Sequence, residues 1–365
     1  MPKDRDPAFE RRLDELRQEA VAQGRVQGKG VDIAGSPLPI SAVKGGNGAG
    51  RNGHGQGSHN GLERASQSGK DKAGYYGMPA LKPPVWTWEI PIYFFIGGMC
   101  GMAGVVALAA TVFDHPEVVR AAMWITAFGG VASPVLLIMD LGRPLLFFNM
   151  LRVFKLRSAM SMGVYILTPY GMASIPGALA VELHHQSVVH QWLEPGLLLS
   201  LIHWAGIALT FVTGLSGMLL ATYTGVLIGA TAVPAWHQHR SLLPLHFGTA
   251  GMGSAVSLLA LLGYTLRPLA VIFWVTVAVE TTLWLWLLFR RHGKIDRALH
   301  EGTGGRLLMP AELLSGPIAL ALITFGFVKT AGVGFMLGSL LSRFGWVQAG
   351  KQSAKDPEAV FATPG

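Results

Sequence analysis

Residues 91–112 read PIYFFIGGMCGMAGVVALAATV and contain no charged side chain. About 20 consecutive apolar residues in a helix are enough to cross the hydrocarbon core of a bilayer. Six further stretches are similarly long and apolar, at residues 118–140, 160–181, 197–228, 244–264, 267–289 and 314–341. Their number and length exclude a soluble helical core, so the sequence predicts an all-α, polytopic transmembrane helical bundle.

The apolar residues are unevenly distributed along the chain. Of the 365 residues 50% are hydrophobic and 14% are charged, whereas a soluble domain carries about 25% charged residues. Three regions are predicted: a polar, Gly-rich and largely disordered segment over 1–74, a transmembrane domain over 75–350, and a flexible tail over 351–365. Seven spans are counted, and residues 307–342 leave room for a broken or re-entrant helix that would make eight.

Composition also limits the partners and cofactors of the chain. The net charge is +8, but the basic residues lie mostly in the amino-terminal segment and the loops. Membrane topology explains basic loops, so no nucleic-acid partner is predicted. The single cysteine, Cys100, cannot hold an iron–sulfur cluster, which takes about four thiolates. No iron–sulfur cluster is therefore expected in this chain. No zinc motif is present and nothing in the spacing pairs His203 with His246 as heme ligands, so no metal or heme is expected either.

The charges of the loops predict an orientation. The third connection carries Glu182 and Glu194 and no lysine or arginine, whereas the second is basic without an acid, through Arg143, Arg152, Lys155 and Arg157. Basic loops are retained in the cytoplasm. We therefore expect the amino terminus and the even-numbered loops to face the cytoplasm, in the inner membrane of a bacterium. No secretory signal is visible, so the first span is expected to direct insertion.

The stretch Asp140-Leu-Gly-Arg-Pro144 ends the second span. Asp140 and Arg143 are three residues apart, a spacing that pairs opposite charges along one helical face. Gly142 and Pro144 allow the chain to leave the helix there. Two interpretations remain open for this corner: an ion pair that locks the topology, or direct contact with a partner or substrate.

This corner and three other stretches resemble the NrfD-like family, the membrane subunits of polysulfide reductase and related respiratory complexes. The resemblance covers residues 75–357, and its other stretches are Tyr75–Pro79 with the start of the first span, Tyr223–Leu227 through Pro244, and Arg343–Pro357. It implies a subunit that binds a quinone, menaquinone or ubiquinone, near one membrane face. It also implies an iron–sulfur, ferredoxin-like partner subunit, and with it a molybdopterin or other catalytic subunit.

A quinone site needs an apolar slot, hydrogen-bond donors and a route for protons. We expect Glu89, Asp140 and Glu280 to handle protons, whereas the quinone would be bound by Tyr93, Arg143, Tyr223 and His246. All but Glu280 are predicted near one membrane face. An interfacial aromatic belt is the alternative for the tyrosines, and a capping or packing role is the alternative for His246.

Glu280 lies inside the sixth span, where a charged side chain is costly and by default indicates function or a buried partner. Two interpretations are open for Glu280: a structural ion pair with Lys329, or a proton path that it forms together with His203. The leading hypothesis is a quinone-reactive electron-transfer subunit. A catalytically silent anchor for such a complex and an ion or solute transporter are the alternatives, although no paired inverted halves are evident, as many transporters show.

Overall fold

The computed structural model describes residues 81–140, 151–152, 154–155, 158–186, 196–289 and 293–362. The predicted disordered segment 1–74 and the corner at Arg143 lie outside these residues. The described part is helical and contains no strand, which confirms the all-α class. Its helices are α1 Glu89–Val112, α2 Pro116–Asp140, α3 Ala159–His185, α4 Leu197–Gly229, α5 Pro234–Gln238, α6 Leu242–Leu261, α7 Arg267–Phe289, α8 Arg297–His300, α9 Gly302–Thr324, α10 Val328–Lys355 and α11 Pro357–Phe361.

Seven of these helices are long and apolar enough to cross a membrane, namely α1, α2, α3, α4, α6, α7 and α9. Their outward surfaces carry large apolar side chains, among them Phe128, Leu201 and Trp204, that a soluble protein would bury. The prediction of an integral membrane bundle is confirmed.

The prediction of one seventh span over 314–341 is wrong, because this stretch contains the end of α9, a turn and the first half of α10. Gly326 makes the turn with a φ of +84°, a backbone conformation that favours glycine. Phe325 and Phe327 flank it, so the turn is as apolar as the helices that it joins. The hydropathy of the sequence therefore shows no minimum at this turn.

Helix α10 runs antiparallel to α9 and forms an eighth membrane-length helix. The glycines of α10 lie against α9 in reverse order, with Gly334 beside Leu314, Gly338 beside Ala311 and Gly345 beside Leu308. Its 28 residues would extend about 42 Å. The helix continues to Lys355 with Ser353 and Ala354 buried, past residue 350, where the sequence predicted a flexible tail to begin.

The eight long helices begin and end at two faces of the bundle. We call the entry face the one where α1 begins and α10 ends, and the far face the one where α1 ends and α2 begins. At the entry face Lys351 of α10 donates a hydrogen bond to the carbonyl of Trp86, just before α1. Trp86 also stacks on Trp236 of α5, with ring centroids 5.2 Å apart.

Helix α1 is the central helix and packs on its neighbours through glycine. A Cβ atom on Gly101 would lie 2.5 Å from the carbonyl oxygen of Gly217 in α4. Such contacts let helix backbones approach closely in a lipid environment, where no hydrophobic force drives helices together. One turn earlier, a Cβ on Gly98 would meet its nearest atoms at 3.9 Å, an ordinary contact.

The two glycines provide a matched test of this packing. We expect Gly101→Ala to lower the melting temperature of the purified protein by several degrees, because the α1 and α4 backbones must separate. Gly98→Ala should leave it unchanged or raise it slightly, since alanine is favoured over glycine in a helix by about 1 kcal/mol. Thermal unfolding in detergent measures both, and equal melting temperatures for the two variants would contradict the assigned contact.

Candidate functional site

A small pocket opens at the entry face between the ends of α1, α2, α3 and α4. Its volume is about 50 Å³. Apolar side chains such as Ile90, Leu137 and Leu227 form most of its wall, together with the polar residues Tyr93, Asp140 and Tyr223. Three of the predicted site residues therefore line one cavity.

The two tyrosines of the entry-face pocket differ in their hydrogen bonding. The Tyr223 hydroxyl donates to the carbonyl oxygen of Ala159 at 2.6 Å. Its ring fits over Gly163, where any Cβ atom would collide with it. Tyr93 is 2% exposed, and its hydroxyl has no hydrogen-bond partner among the described residues. Tyr93 is therefore the tyrosine of this pocket with a donor available for a ligand.

Glu89 and Asp140 are brought together at the rim of the same pocket by Thr87. The Thr87 hydroxyl lies within hydrogen-bond distance of the Glu89 carboxylate and 3.3 Å from Oδ1 of Asp140. A hydroxyl carries one proton, so it donates to one carboxylate at a time. Both carboxylates are half-buried. Arg143, the fourth member predicted at this place, lies outside the described residues.

A second polar group, which we call the buried cluster, lies deeper in the bundle, between α6, α7, α9 and α10. It consists of His246, Glu280, Glu312, Ser342 and Arg343, each at most 3% exposed. His246, predicted among the quinone-binding residues, does not line the entry-face pocket, because its side chain points into this cluster. Phe247 and Phe94, with ring centroids 5.9 Å apart, lie between the two sites.

His246 bridges the two carboxylates of the buried cluster. Its Nδ1 is 2.8 Å from Oε2 of Glu280, and its Nε2 is 3.2 Å from Oε1 of Glu312 and 2.9 Å from Oγ of Ser342. The Ser342 hydroxyl donates to Glu312 at 2.6 Å, so Nε2 of His246 is the donor to Ser342. A proton must then lie between Nδ1 and Glu280, on one atom or the other.

The predicted partners of Glu280 were wrong. Its carboxylate contacts His246 and Thr249. Lys329 is exposed in the first turn of α10, and His203 is an exposed residue near the far face. The sequence around Glu280 does not identify these partners, because they lie on another helix about 30 residues earlier in the chain.

Arg343 completes the buried cluster with a positive charge. Its guanidinium donates to the carbonyl oxygen of Phe247 at 3.1 Å and lies 3.8 Å from the centre of that ring. It also interacts electrostatically with Glu280 and Glu312. Buried charges of one sign persist when charges of the other sign and hydrogen bonds accompany them. The guanidinium thus offsets part of the carboxylate charge.

Three buried polar atoms of the cluster have no partner among the described residues: Oε2 of Glu312 and Nε and Nη1 of Arg343. Buried groups of this kind are usually satisfied by internal water. The π-helical turn Leu314–Ile318 of α9 begins two residues after Glu312, and π turns are frequent at functional sites. Pro317, which lacks a backbone N–H, lies within that turn.

Sequence reasoning missed Glu312, Ser342 and Arg343. Glu312 was outside the predicted span 314–341, and Arg343 was named only as the start of a stretch that resembles the family, without a role at a site. The charges of Glu312 and Arg343 were an available signal, since each residue lies in or beside an apolar run of the sequence. Once α9 and α10 are recognised as an antiparallel pair, the two residues are neighbours.

The fold and its interior define an integral membrane protein of eight long helices that carries ionisable groups within the bundle. The family described as polysulphide reductase, NrfD, matches residues 78–268, more than half of the chain. The chain belongs to the NrfD family. The match ends near the start of α7, so the entry-face pocket lies inside the matched region, and of the buried cluster His246 alone does.

Two relatives give the same result at modest identity. The protein is 28% identical over 183 residues to the C subunit of polysulfide reductase from Wolinella succinogenes, a match that covers 47% of this protein and 56% of the relative. It is 27% identical over 192 residues to protein NrfD of Escherichia coli K12, a match that covers 48% of this protein and 59% of the relative. The protein thus matches little more than half the length of each.

The stability of the buried cluster can be tested by removing one of its charges. We expect Glu312→Ala to lower the free energy of unfolding by about 3–5 kcal/mol, the usual cost of leaving a buried charge without its partner. The matched control is Glu358→Ala, because Glu358 is 55% exposed and lies 3.8 Å from an equally exposed Lys294. Its removal should cost less than about 1 kcal/mol. Unfolding by detergent titration measures both, and similar losses would show that the cluster is not a stabilising network.

Proposed function

We propose that this protein is the quinone-reactive membrane subunit of a respiratory oxidoreductase complex. It would exchange electrons between the quinone pool and an iron–sulfur partner subunit. The observation that carries the proposal is the entry-face pocket, in which a tyrosine donor and a carboxylate share an apolar cavity at one end of the bundle. Membership of the NrfD family supports it.

The chemistry of the pocket fits a quinone better than its size does. Apolar walls suit the ring and the isoprenoid chain, and the Tyr93 hydroxyl is placed to donate to a ring oxygen. Small-molecule sites usually enclose about 300–1,000 Å³, whereas this cavity encloses about 50 Å³. Binding therefore requires lining side chains to move, and Met160 is suited to this because it is unbranched and 49% exposed.

Each polar residue at the pocket has a defined task in this proposal. A quinone takes up two electrons and two protons when it is reduced, and its quinol returns them when it is oxidised. Tyr93 holds a ring oxygen by a hydrogen bond, and Tyr223, fixed to Ala159, shapes the wall. Asp140 holds or releases a proton beside the ring, and Thr87 connects it with Glu89 at the rim.

The buried cluster is proposed to store protons for this reaction. The proton between His246 and Glu280 has two positions, and the unpartnered atoms of Glu312 and Arg343 give internal water a place to bind. Glu280 keeps its predicted proton-handling role, with His246 rather than His203 as its partner. His246 would act here instead of binding the quinone.

The partners and the location follow from the same proposal. The iron–sulfur partner would lie at the entry face, close to the pocket, and a molybdopterin or other catalytic subunit would lie beyond it. Lys351 and Lys355 add positive charge to the entry face, whereas Lys294 and Arg297 there are paired with Glu358 and Glu301. The preference of basic loops for the cytoplasm supports placement of this face in the cytoplasm, in a bacterial inner membrane.

A catalytically silent membrane anchor is the second candidate function. The small volume of the pocket is the observation that favours it. An anchor would leave the activity of the complex with water-soluble dyes intact and would show no quinol-dependent turnover in any variant.

Removal of the tyrosine donor tests the pocket. We expect Tyr93→Phe to reduce kcat/KM for quinol about tenfold, which corresponds to the loss of one hydrogen bond of about 1.4 kcal/mol. Asp140→Asn should act mainly on kcat. The matched control is Tyr165→Phe, because Tyr165 donates to the carbonyl of Leu151 at 2.7 Å and does not line the pocket.

The assay uses the purified complex with quinol, and dye-linked turnover reports whether the partner subunits remain active. If Tyr93→Phe and Asp140→Asn both retain wild-type quinol kinetics, the pocket is not the quinone site. Loss of quinol and dye activity together would instead indicate damage to the assembly.

A separate variant tests the buried cluster. Glu280→Gln keeps a hydrogen-bonding side chain beside His246 but removes the ionisable group. We expect it to lower quinol turnover several-fold while KM stays near the wild-type value, since the pocket itself is unchanged. Proton release measured with a pH indicator in liposomes should fall in parallel, and unchanged turnover and proton release would rule out a proton-storing role.

A further inference from the structure

A groove at the entry face lies between the segment that precedes α1 and the last turns of α10. Its volume is about 450 Å³. Residues between 83 and 91 form one wall, and residues between 344 and 355 form the other. Trp86 lines both this groove and the entry-face pocket. The quinone proposal assigns no role to the groove.

The α10 wall of the groove presents a row of hydrogen-bond donors. Lys351 and Lys355 both line the groove and are four residues apart, so they are neighbours on the helix surface. Gln348, which also lines it, lies one turn earlier on the same side of the helix. Like charges at this spacing repel each other. An anion between the two lysines would relieve that repulsion.

Both lysines keep donors available for a ligand. Lys355 is exposed and has no partner among the described residues. Lys351 donates to the carbonyl oxygen of Trp86, and an ammonium group with three protons then has two left. The bond to Trp86 also fixes Lys351 at the groove, since it joins one wall to the other.

The carboxylates that are close in the chain are directed elsewhere. Asp356 follows Lys355, but its Oδ1 accepts a hydrogen bond from the backbone N–H of Glu358 at 3.0 Å and caps α11. Glu89 is bonded by Thr87 at the rim of the pocket. No carboxylate is found among the described residues that line the groove. The charge of the groove therefore favours an anion.

The opposite wall is apolar and lies at the level where the first span begins. Trp88 directly precedes α1 and is 52% exposed, and Val85 is 80% exposed. Tryptophan is enriched at the boundary between lipid and water. Phe344 of α10 continues the apolar lining. A ligand of the groove thus meets cationic donors on one side and an apolar surface on the other.

A larger groove at the far face lacks this combination. Its volume is about 790 Å³, and Arg120 is the cation among its lining residues. That guanidinium lies 3.3 Å from Glu182 and 3.7 Å from Glu117, so two carboxylates already neutralise it. Lipid can fill such a groove, but no positive charge is left there to select an anionic headgroup.

We propose that the entry-face groove binds the headgroup of an anionic phospholipid. Lys351 and Lys355 bind the phosphate, Gln348 donates to a further headgroup oxygen, and the acyl chains lie against Trp88 and Phe344. Basic pockets beside transmembrane helices bind anionic lipids in this manner. A zwitterionic lipid binds less well, because its ammonium group would be brought close to the two lysines.

Lipid titration of the purified full-length protein tests the proposal. The protein is stripped of lipid in detergent and titrated with phosphatidylglycerol or phosphatidylcholine, and native mass spectrometry counts the lipids bound. We expect one phosphatidylglycerol to bind at least fivefold more tightly than phosphatidylcholine. Lys355→Gln should weaken phosphatidylglycerol binding about fivefold, the factor that one lysine contributes near anionic lipid. Inorganic phosphate, which has no acyl chain, should not displace the lipid.

Lys294→Gln is the matched control, because Lys294 is 60% exposed at the same face and lies outside the groove. This variant should bind phosphatidylglycerol as the wild type does. Since Lys355 is exposed, Lys355→Gln should keep the wild-type melting temperature in the absence of added lipid, which separates lost binding from lost folding.

Four results would overturn the proposal: equal binding of the two lipids, wild-type binding by Lys355→Gln, displacement by phosphate alone, or an equal loss in Lys294→Gln. If Lys355→Gln keeps its lipid but loses the iron–sulfur subunit from the purified complex, the groove is a protein-docking surface instead. None of these measurements involves quinol turnover, so their outcome is independent of the quinone proposal.

Discussion

The hydrocarbon core of a bilayer offers no hydrogen-bond partner to a polar group, and the organisation of this protein follows from that constraint. Backbone groups are satisfied within helices, and the helices must then touch each other closely. Gly101 and Gly217 bring α1 against α4, and the other long helices assemble around this contact. Ionisable side chains are excluded from the lipid-facing surface, so they lie either in the interior of the bundle or at its two faces.

This protein has a polar site of each kind, the buried cluster in the interior and the pocket at the entry face, and the two differ chemically. Most polar atoms of the buried cluster are satisfied within it, because its carboxylates, imidazole and guanidinium form hydrogen bonds and opposite-charge contacts with one another. The entry-face pocket has hydrogen-bonding capacity to spare. Tyr93 has no partner there among the described residues, and Asp140 shares a single hydroxyl with Glu89. The aromatic pair Phe94 and Phe247 separates the two. The pocket and the buried cluster are therefore neighbours without direct contact between their polar groups.

Much of this architecture was predictable from the sequence, for a physical reason. Transmembrane helices are signalled by local composition, so six of the seven predicted spans correspond to helices close to the expected residues. The seventh failed because Phe325 and Phe327 make a turn that is apolar, and hydropathy measures transfer to lipid rather than the direction of the backbone. The placement of Glu89, Asp140, Tyr93 and Tyr223 at one face followed from their positions at span ends. The pairing of His246 with Glu280 and Glu312 did not, because it depends on which helices pack together and how each is rotated.

The antiparallel return of α10 has a consequence for the whole polypeptide. The polypeptide enters the bundle near Trp86 and leaves it near Lys355 at the same face, where Lys351 bonds to the carbonyl of Trp86. Without the antiparallel return of α10, the polypeptide would leave the bundle at the opposite face. A soluble module joined to either end of the bundle would thus emerge into one compartment, and a single docked neighbour could touch both ends of the transmembrane domain at once.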